Sequence, residues 1–335
     1  MTKRCVAISI AFLLVSFGIF AAGNSEQTGA TNASDKVYTI KIGYVQNESD
    51  PLTQGLYYMA EQVKEKTDGK VQIQVMPNGV LGDTGDVLEQ CRTGAPIGLL
   101  VDAGRFIGYI PEIGILDAPY LFDTYEQGNK IVQSSLFTDW FTQLEGEGFK
   151  ILSFNWYQGS RNYLTTTPVN SLADAKNLKI RTGGSKVWQA TINSFGSKAT
   201  SLAQNDVYSA IQGKVVDGCE QQVTAVYGLN LVEVAKYYAL TNHFQLLTGL
   251  CVSNTWFDSL PSEYQEIFKE EAIKAGEYAS SITINNVNSM LEELKAKGLV
   301  ITELQDLDAW KAASESVYKE NAGFESLRSQ IKQML

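Results

Sequence analysis

The chain has 335 residues, enough for two domains with sizeable cores. Hydrophobic residues at 44% and charged residues at 19% are ordinary for a soluble globular protein, which excludes a chain dominated by disorder or membrane spans. A net charge of −10 argues against nucleic acid or an anionic membrane as partner, yet a local pair of arginines inside an acidic protein still suits an anionic ligand.

Residues 1–23 read as a secretory signal. Lys3 and Arg4 form a basic start, Val6 to Ala22 is apolar, and Ala21-Ala22-Gly23 offers small residues for cleavage. An uncleaved anchor is the alternative, because an apolar run of about 17 residues stands at the lower limit for a span. Cys5 lies before the apolar run, which argues against a lipoprotein. Residues 24–36 are rich in Ser, Thr, Asn and Ala and read as a disordered leader.

Tyr38 to Val45 alternates as a strand, and Leu56 to Lys66 has helical spacing with Met59 and Val63 on one face. Val71 to Met76 is the next strand, turned by Pro77-Asn78-Gly79, and Asp83 or Thr84 caps a helix through Arg92. Ile97 to Val101 is wholly apolar, as in a parallel strand covered on both faces. This order predicts a doubly wound α/β unit. Ile151 to Trp156 is expected to cross into a second unit. That unit holds a strand at Leu178 to Arg181 and helices at Ser185 to Phe195 and Asp206 to Gln212. Leu250 to Ser253 reads as a return strand. A helical segment runs from Pro261 to about Lys297, either as one rod or as two helices broken near Gly276 or Asn285-Asn286. A strand at Leu299 to Thr302 and a helix from Leu307 finish the chain.

The chemistry the chain lacks is informative. Its one histidine, His243, excludes polyhistidine metal sites and leaves a Ser–His–Asp triad dependent on a residue with no serine elbow nearby. A structural or hinge-lining role suits it better. Gly-rich phosphate loops are absent, so no cofactor is expected and nothing supports catalysis. Cys91, Cys219 and Cys251 read as small buried hydrophobes, with a Cys219–Cys251 bridge as the alternative.

What the chain offers instead is a pair of arginines. Arg161 follows the strand-like run Ile151–Trp156, and Arg181 ends the run Leu178-Lys179-Ile180-Arg181. A strand end holds a guanidinium at the sheet rim, where small ligands sit in α/β domains. The fork is always charged and meets a carboxylate with two parallel hydrogen bonds. Two surface ion pairs would fit the same spacing. Asn47, Asp102 and Arg105 stand after other strands, and Trp156, Tyr157 and Gln158 stand at the crossing, where an aromatic can wall a ligand or fill a core. Tyr208 faces either a site or the core.

Leu178-Lys179-Ile180-Arg181, then Asp206-Val207-Tyr208-Ser209-Ala210-Ile211-Gln212, then Val215-Val216-Asp217-Gly218-Cys219-Glu220, together resemble the solute-binding proteins of tripartite ATP-independent periplasmic (TRAP) transporters, the DctP-like subunits. Met76 to Asp83, Leu116 to Phe122 and Asn254 to Gln265 extend the likeness in the right order, from about residue 37 onward. The resemblance implies a periplasmic-binding-protein-like fold, with two α/β domains around a ligand cleft and a long helix crossing both. Domain I would take residues 37–159 with 247–286, and domain II residues 160–246 with 287–335. It also implies a monomeric, exported, non-enzymatic periplasmic protein that captures a small organic acid and delivers it to TRAP membrane subunits. The alternatives are docking to a membrane sensor, or a secreted α/β hydrolase. Arg181 matches the family's principal carboxylate-binding arginine and Arg161 its second. Gln221 stands where many members carry a ligand-contacting asparagine, and Gln204 where many carry an apolar wall residue. Both departures imply extra hydrogen-bonding demand. Glu220 and Asp217 match acids that hold arginines in place.

Overall fold

The computed structural model describes residues 36–335; the expected signal, most of the leader, and Cys5 lie outside them. Nine strands form one mixed sheet: β1 (Tyr38–Gly43), β2 (Val71–Met76), β3 (Ile97–Asp102), β4 (Phe149–Thr165), β5 (Lys179–Thr182), β6 (Lys198–Ser201), β7 (Gly218–Gln222), β8 (Tyr237–Ser253) and β9 (Val300–Thr302). The order is β2-β1-β3-β8-β4-β7-β5-β6, with β9 on β8. β1 runs parallel to β2 and β3, and β5 runs parallel to β6 and β7, so each end of the sheet is a parallel unit. The antiparallel pair β4 and β8 joins them. β3 meets the C-terminal end of β8, around residues 248–252, while β7 meets the C-terminal end of β4, at Arg161 to Thr165. The two long strands therefore carry one lobe on each half.

Each parallel unit is packed on both faces. In the first, Leu99 and Val101 join one apolar cluster with Phe106, Phe137 and Phe149, while Leu100 joins another with Ile40, Met59 and Trp156. That is period-two alternation in a strand covered on both sides, as the apolar run 97–101 predicts. Asp50 caps the helix Pro51–Lys66 by accepting from the Leu52 amide at 2.9 Å, and Asp83 caps Thr84–Arg92.

Several expectations need correction. β4 and β8 each run for 17 residues, far beyond the short strands read at 151–156 and 250–253. Their apolar alternation fails at Gln158, Asn162 and Thr241 because these polar groups are buried among hydrogen-bond partners. Register shifts fall at 151/153, 153/156, 157/159 and 161/163, so the ladder bends where it passes between lobes. Gly159 sits there at φ +103°, a conformation closed to most L-residues. The C-terminal segment is a single helix, Ser262–Ala296, unbroken at Gly276 or Asn285-Asn286. A Cβ at Gly276 would lie 2.2 Å from Asn155 Oδ1, so this glycine permits close packing on β4. One part of the helix packs Phe268, Ala272, Ala275 and Ala279 into the first lobe, and a later part packs Leu294 into the second.

The cysteines are free and buried. Cys219 and Cys251 sit in different cores, which rules out that bridge; Cys251 instead neighbours Cys91, Sγ to Sγ 3.9 Å. The last helix, Phe324–Met334, buries Phe324 and Ile331 in the first lobe's cluster with Phe106 and Ile113. Among the described residues no helix is long and apolar enough to cross a membrane, and no cluster of metal-ligating side chains occurs.

Candidate ligand-binding site

The sheet brings the two arginines to the two strands that flank β7. Arg161 on β4 pairs in register with Gln222 on β7, and Arg181 on β5 pairs with Cys219 on β7. Alternation then places Glu220 and Gln222 on the face that Arg161 occupies. A cavity of about 60 Å³ lies against this region between the lobes. Its walls include Arg105, Arg161 and Arg181, with Gln46, Gln158 and Gln204 as neutral polar groups.

Arg161 is fully engaged. Its Nη2 donates to Glu220 Oε1 at 2.7 Å and to the Glu220 carbonyl at 2.8 Å, and its Nε donates to Glu220 Oε2. Nη1 donates to Gln222 Oε1 at 3.2 Å, and Gln222 donates onward to Gln158 at 2.7 Å. The guanidinium stacks over Trp188 at 4.6 Å. Burial is the largest single influence on Glu220 and disfavours its charge, but the Arg161 cation, its hydrogen bonds and the His243 contact together outweigh burial and hold the carboxyl down to about 2. Thr182 donates to Glu220 Oε1 at 2.6 Å. His243 Nε2 lies 3.6 Å from Oε2, and Nδ1 lies 2.8 Å from the Thr241 hydroxyl. His243 is wholly buried, and burial pushes its pKa below the usual value, so it is a neutral structural group.

Arg181 is placed differently. It is 4% exposed, and its Nε and Nη2 both donate to one carbonyl, that of Leu202, at 3.0 and 2.7 Å. Among the described residues no carboxylate pairs with it. Burial, reinforced by repulsion from Arg161, brings its pKa down to about 10, still a cation at neutral pH. Arg105 lies between the two cases: its Nε is 3.5 Å from Asp102 Oδ2 and its Nη1 is 3.9 Å from Asp83 Oδ2. A Cβ at Gly184 would stand 2.5 Å from Arg105 Nη1, so a bare backbone lets this side chain cross to the second lobe.

The structure sorts the other expected site residues. Asp102 and Gln204 line the cavity. Gln221 is wholly buried and reaches the cavity through Gln204, to whose Oε1 it donates at 2.9 Å. Asn47 points across the lobes and donates to the Gly228 carbonyl at 2.7 Å. Trp156 is not a wall of the cavity: it fills the first lobe's core, its indole N–H donating to Ser153. Tyr208 also lies outside the cavity, with its hydroxyl donating to Glu233. An isolated aromatic in sequence does not tell which face it takes. Sequence reasoning missed Gln46, Asp83, Trp188 and Gln222. Gln46 and Gln222 are chain neighbours of residues singled out, and strand alternation was the signal. Trp188 carried none.

Further contacts close the space. Asn205 Nδ2 donates to the Asn78 carbonyl at 3.1 Å, and Gln204 Nε2 donates to Gln46 Oε1 at 3.5 Å. The lobes touch beside the cavity.

The family description "bacterial extracellular solute-binding protein, family 7" (DctP) matches residues 42–323. The chain is 26% identical to the 2,3-diketo-L-gulonate-binding periplasmic protein of Escherichia coli K12, over 87% of this chain and 88% of that one. It is 26% identical to a TRAP periplasmic solute-binding protein of Actinobacillus succinogenes with bound L-galactonate, at TM-score 0.85, covering 88% of this chain and 99% of the other. It is 33% identical to a TRAP periplasmic solute-binding protein of Escherichia fergusonii in an apo open structure, at TM-score 0.78, covering 89% and 100%. The less identical, ligand-bound relative superposes better, in keeping with lobes that touch here. By sequence and by two-domain fold, this chain belongs to the TRAP-type solute-binding proteins, family 7 of the bacterial extracellular solute-binding proteins.

Proposed function

We propose that this protein captures a small organic acid between its lobes, with the acid's carboxylate on Arg181, and delivers it from the periplasm to TRAP-type membrane subunits. The observation that carries the reading is the guanidinium of Arg181, 4% exposed and without a carboxylate partner among the described residues. A buried unpaired charge is costly, and a ligand carboxylate relieves that cost. The diketogulonate- and galactonate-binding relatives support an acid as ligand. The protein acts as a monomer and leaves its ligand chemically unchanged: the cavity presents amides, two paired arginines and the one unpaired cation of Arg181, and His243 is buried beside Thr241 and Glu220.

The cavity of about 60 Å³ is well below the roughly 300 Å³ at which ligand sites begin, so the lobes part to admit an acid and close over it. The domains divide within the β4–β8 ladder near residues 159 and 246. A thermal-shift screen of organic acids, with their amides and alcohols as controls, tests the reading. An acid at 100 times its Kd adds about 2.7 kcal/mol to the folded state. Stabilisation by the amides equal to that by the acids overturns it.

A further inference from the structure

Three guanidiniums line the cavity, but they are not equivalent as anion receptors. Arg161 spends its charge on Glu220. Arg105 faces two carboxylates, Asp102 at 3.5 Å and Asp83 at 3.9 Å. Arg181 alone has no acidic partner among the described residues. The wall therefore offers one uncompensated cation. The rest of the lining is neutral or negative: Gln46, Gln158 and Gln204 are amides, and Asp102 is 7% exposed with its Oδ1 buried and without a hydrogen-bond partner. A buried carboxylate oxygen lacking a partner asks for a donor. A ligand hydroxyl supplies one. A second ligand carboxylate instead meets like charge at Asp102 and Asp83.

We propose that the site is selective for a polyhydroxylated acid carrying a single negative charge, and that Asp102, by holding Arg105 and facing the cavity, excludes ligands with a second anionic group. This rests on the reading that Arg181 takes a carboxylate. It makes Asp102 a specificity-determining residue: it accepts from a hydroxyl of the right ligand and repels the wrong one. Amides serve the same end, because they exchange hydrogen bonds with hydroxyls of either polarity and add no charge.

Calorimetry on matched pairs tests this. D-gluconate is compared with D-glucarate, and D-galactonate with galactarate, each pair sharing a carbon skeleton and differing in one terminal carboxylate. Succinate and hexanoate complete the panel, the first with a second charge and the second without hydroxyls. In the wild-type protein the monoacid that binds exceeds its diacid partner and succinate by roughly tenfold or more, since juxtaposed like charges cost several kcal/mol, and exceeds hexanoate by roughly tenfold or more because hexanoate leaves the buried amides and Asp102 without partners. Asp102→Asn keeps the shape and removes the charge, and it narrows the monoacid-to-diacid ratio by about tenfold. Asp83→Asn, on a partly exposed cap, narrows it less and guards against a folding defect at position 102. Diacid or succinate binding as tight as the monoacid in wild type overturns the proposal, as does an unchanged ratio in both variants. Equal binding of hexanoate overturns the hydroxyl requirement. If no acid of the panel binds, the carboxylate reading itself falls and this proposal with it.

Discussion

Two patches of the same wall carry the same functional group and use it in opposite ways. Around Arg161 every donor nitrogen is taken, a carboxylate stands bidentate to the fork, and an indole covers its face. Around Arg181, two strands further along, a single backbone carbonyl receives two donors and no acid among the described residues balances the charge. The first patch is complete in itself and belongs to the fold. The second is incomplete, and in the proposed function a ligand carboxylate completes it. Burial alone does not tell them apart, since both arginines are 4% exposed. The difference lies in what faces the charge.

The largest expected effect is at the complete patch. Glu220→Gln leaves Arg161 buried without its counter-ion, which should cost about 3–5 kcal/mol of stability. Urea denaturation measures it, and a loss below about 1 kcal/mol would erase the contrast. The pH dependence follows next. Glu220's folded pKa of about 2 lies below its ordinary 4.5, so its stabilisation is fully present above pH 4.5 and lost as the pH falls towards 2. That amounts to roughly 3 kcal/mol across the window, and the Gln variant should lack this acid limb in melts from pH 5 to 2. At the incomplete patch the signs reverse. Arg181→Lys should leave the stability of the empty protein within about 1 kcal/mol while weakening acid binding about tenfold or more, because the fork is lost. Unchanged affinity in calorimetry would remove Arg181 from its role. The smallest effects belong to the amides. Gln204→Phe and Gln221→Asn should reorder affinities across an acid panel by about 0.5–1.5 kcal/mol each. An unaltered rank order in the double variant would show that the amides only brace the wall.

Much of the fold was legible because its parallel strands are short, apolar and punctuated: residues 97–101 and the turn at 77–79 state their own roles. The long strands were not, since Gln158, Asn162 and Thr241 read as loop residues until their buried partners are known. Both arginines stood out as strand-end residues, but which one is free could not be read, since Glu220 lies 59 positions from Arg161 and meets it only through the β4–β7 ladder. Trp156 and Tyr208 lie outside the cavity for the same reason in reverse, each satisfied by a contact that spacing does not encode.

The helix Ser262–Ala296 lies against β4, whose partner in the sheet is β8, and all three elements continue from one lobe into the other. At about 1.5 Å per residue the helix is a rod of roughly 52 Å. Three tethers laid side by side across one seam resist shear and twist and yield most readily to flexing about an axis across them. Opening is then close to a one-parameter motion, like a book on a stiff spine, and the width of the mouth reports the state of the whole molecule. A membrane partner that feels both covers at once could tell a loaded protein from an empty one without touching the acid inside.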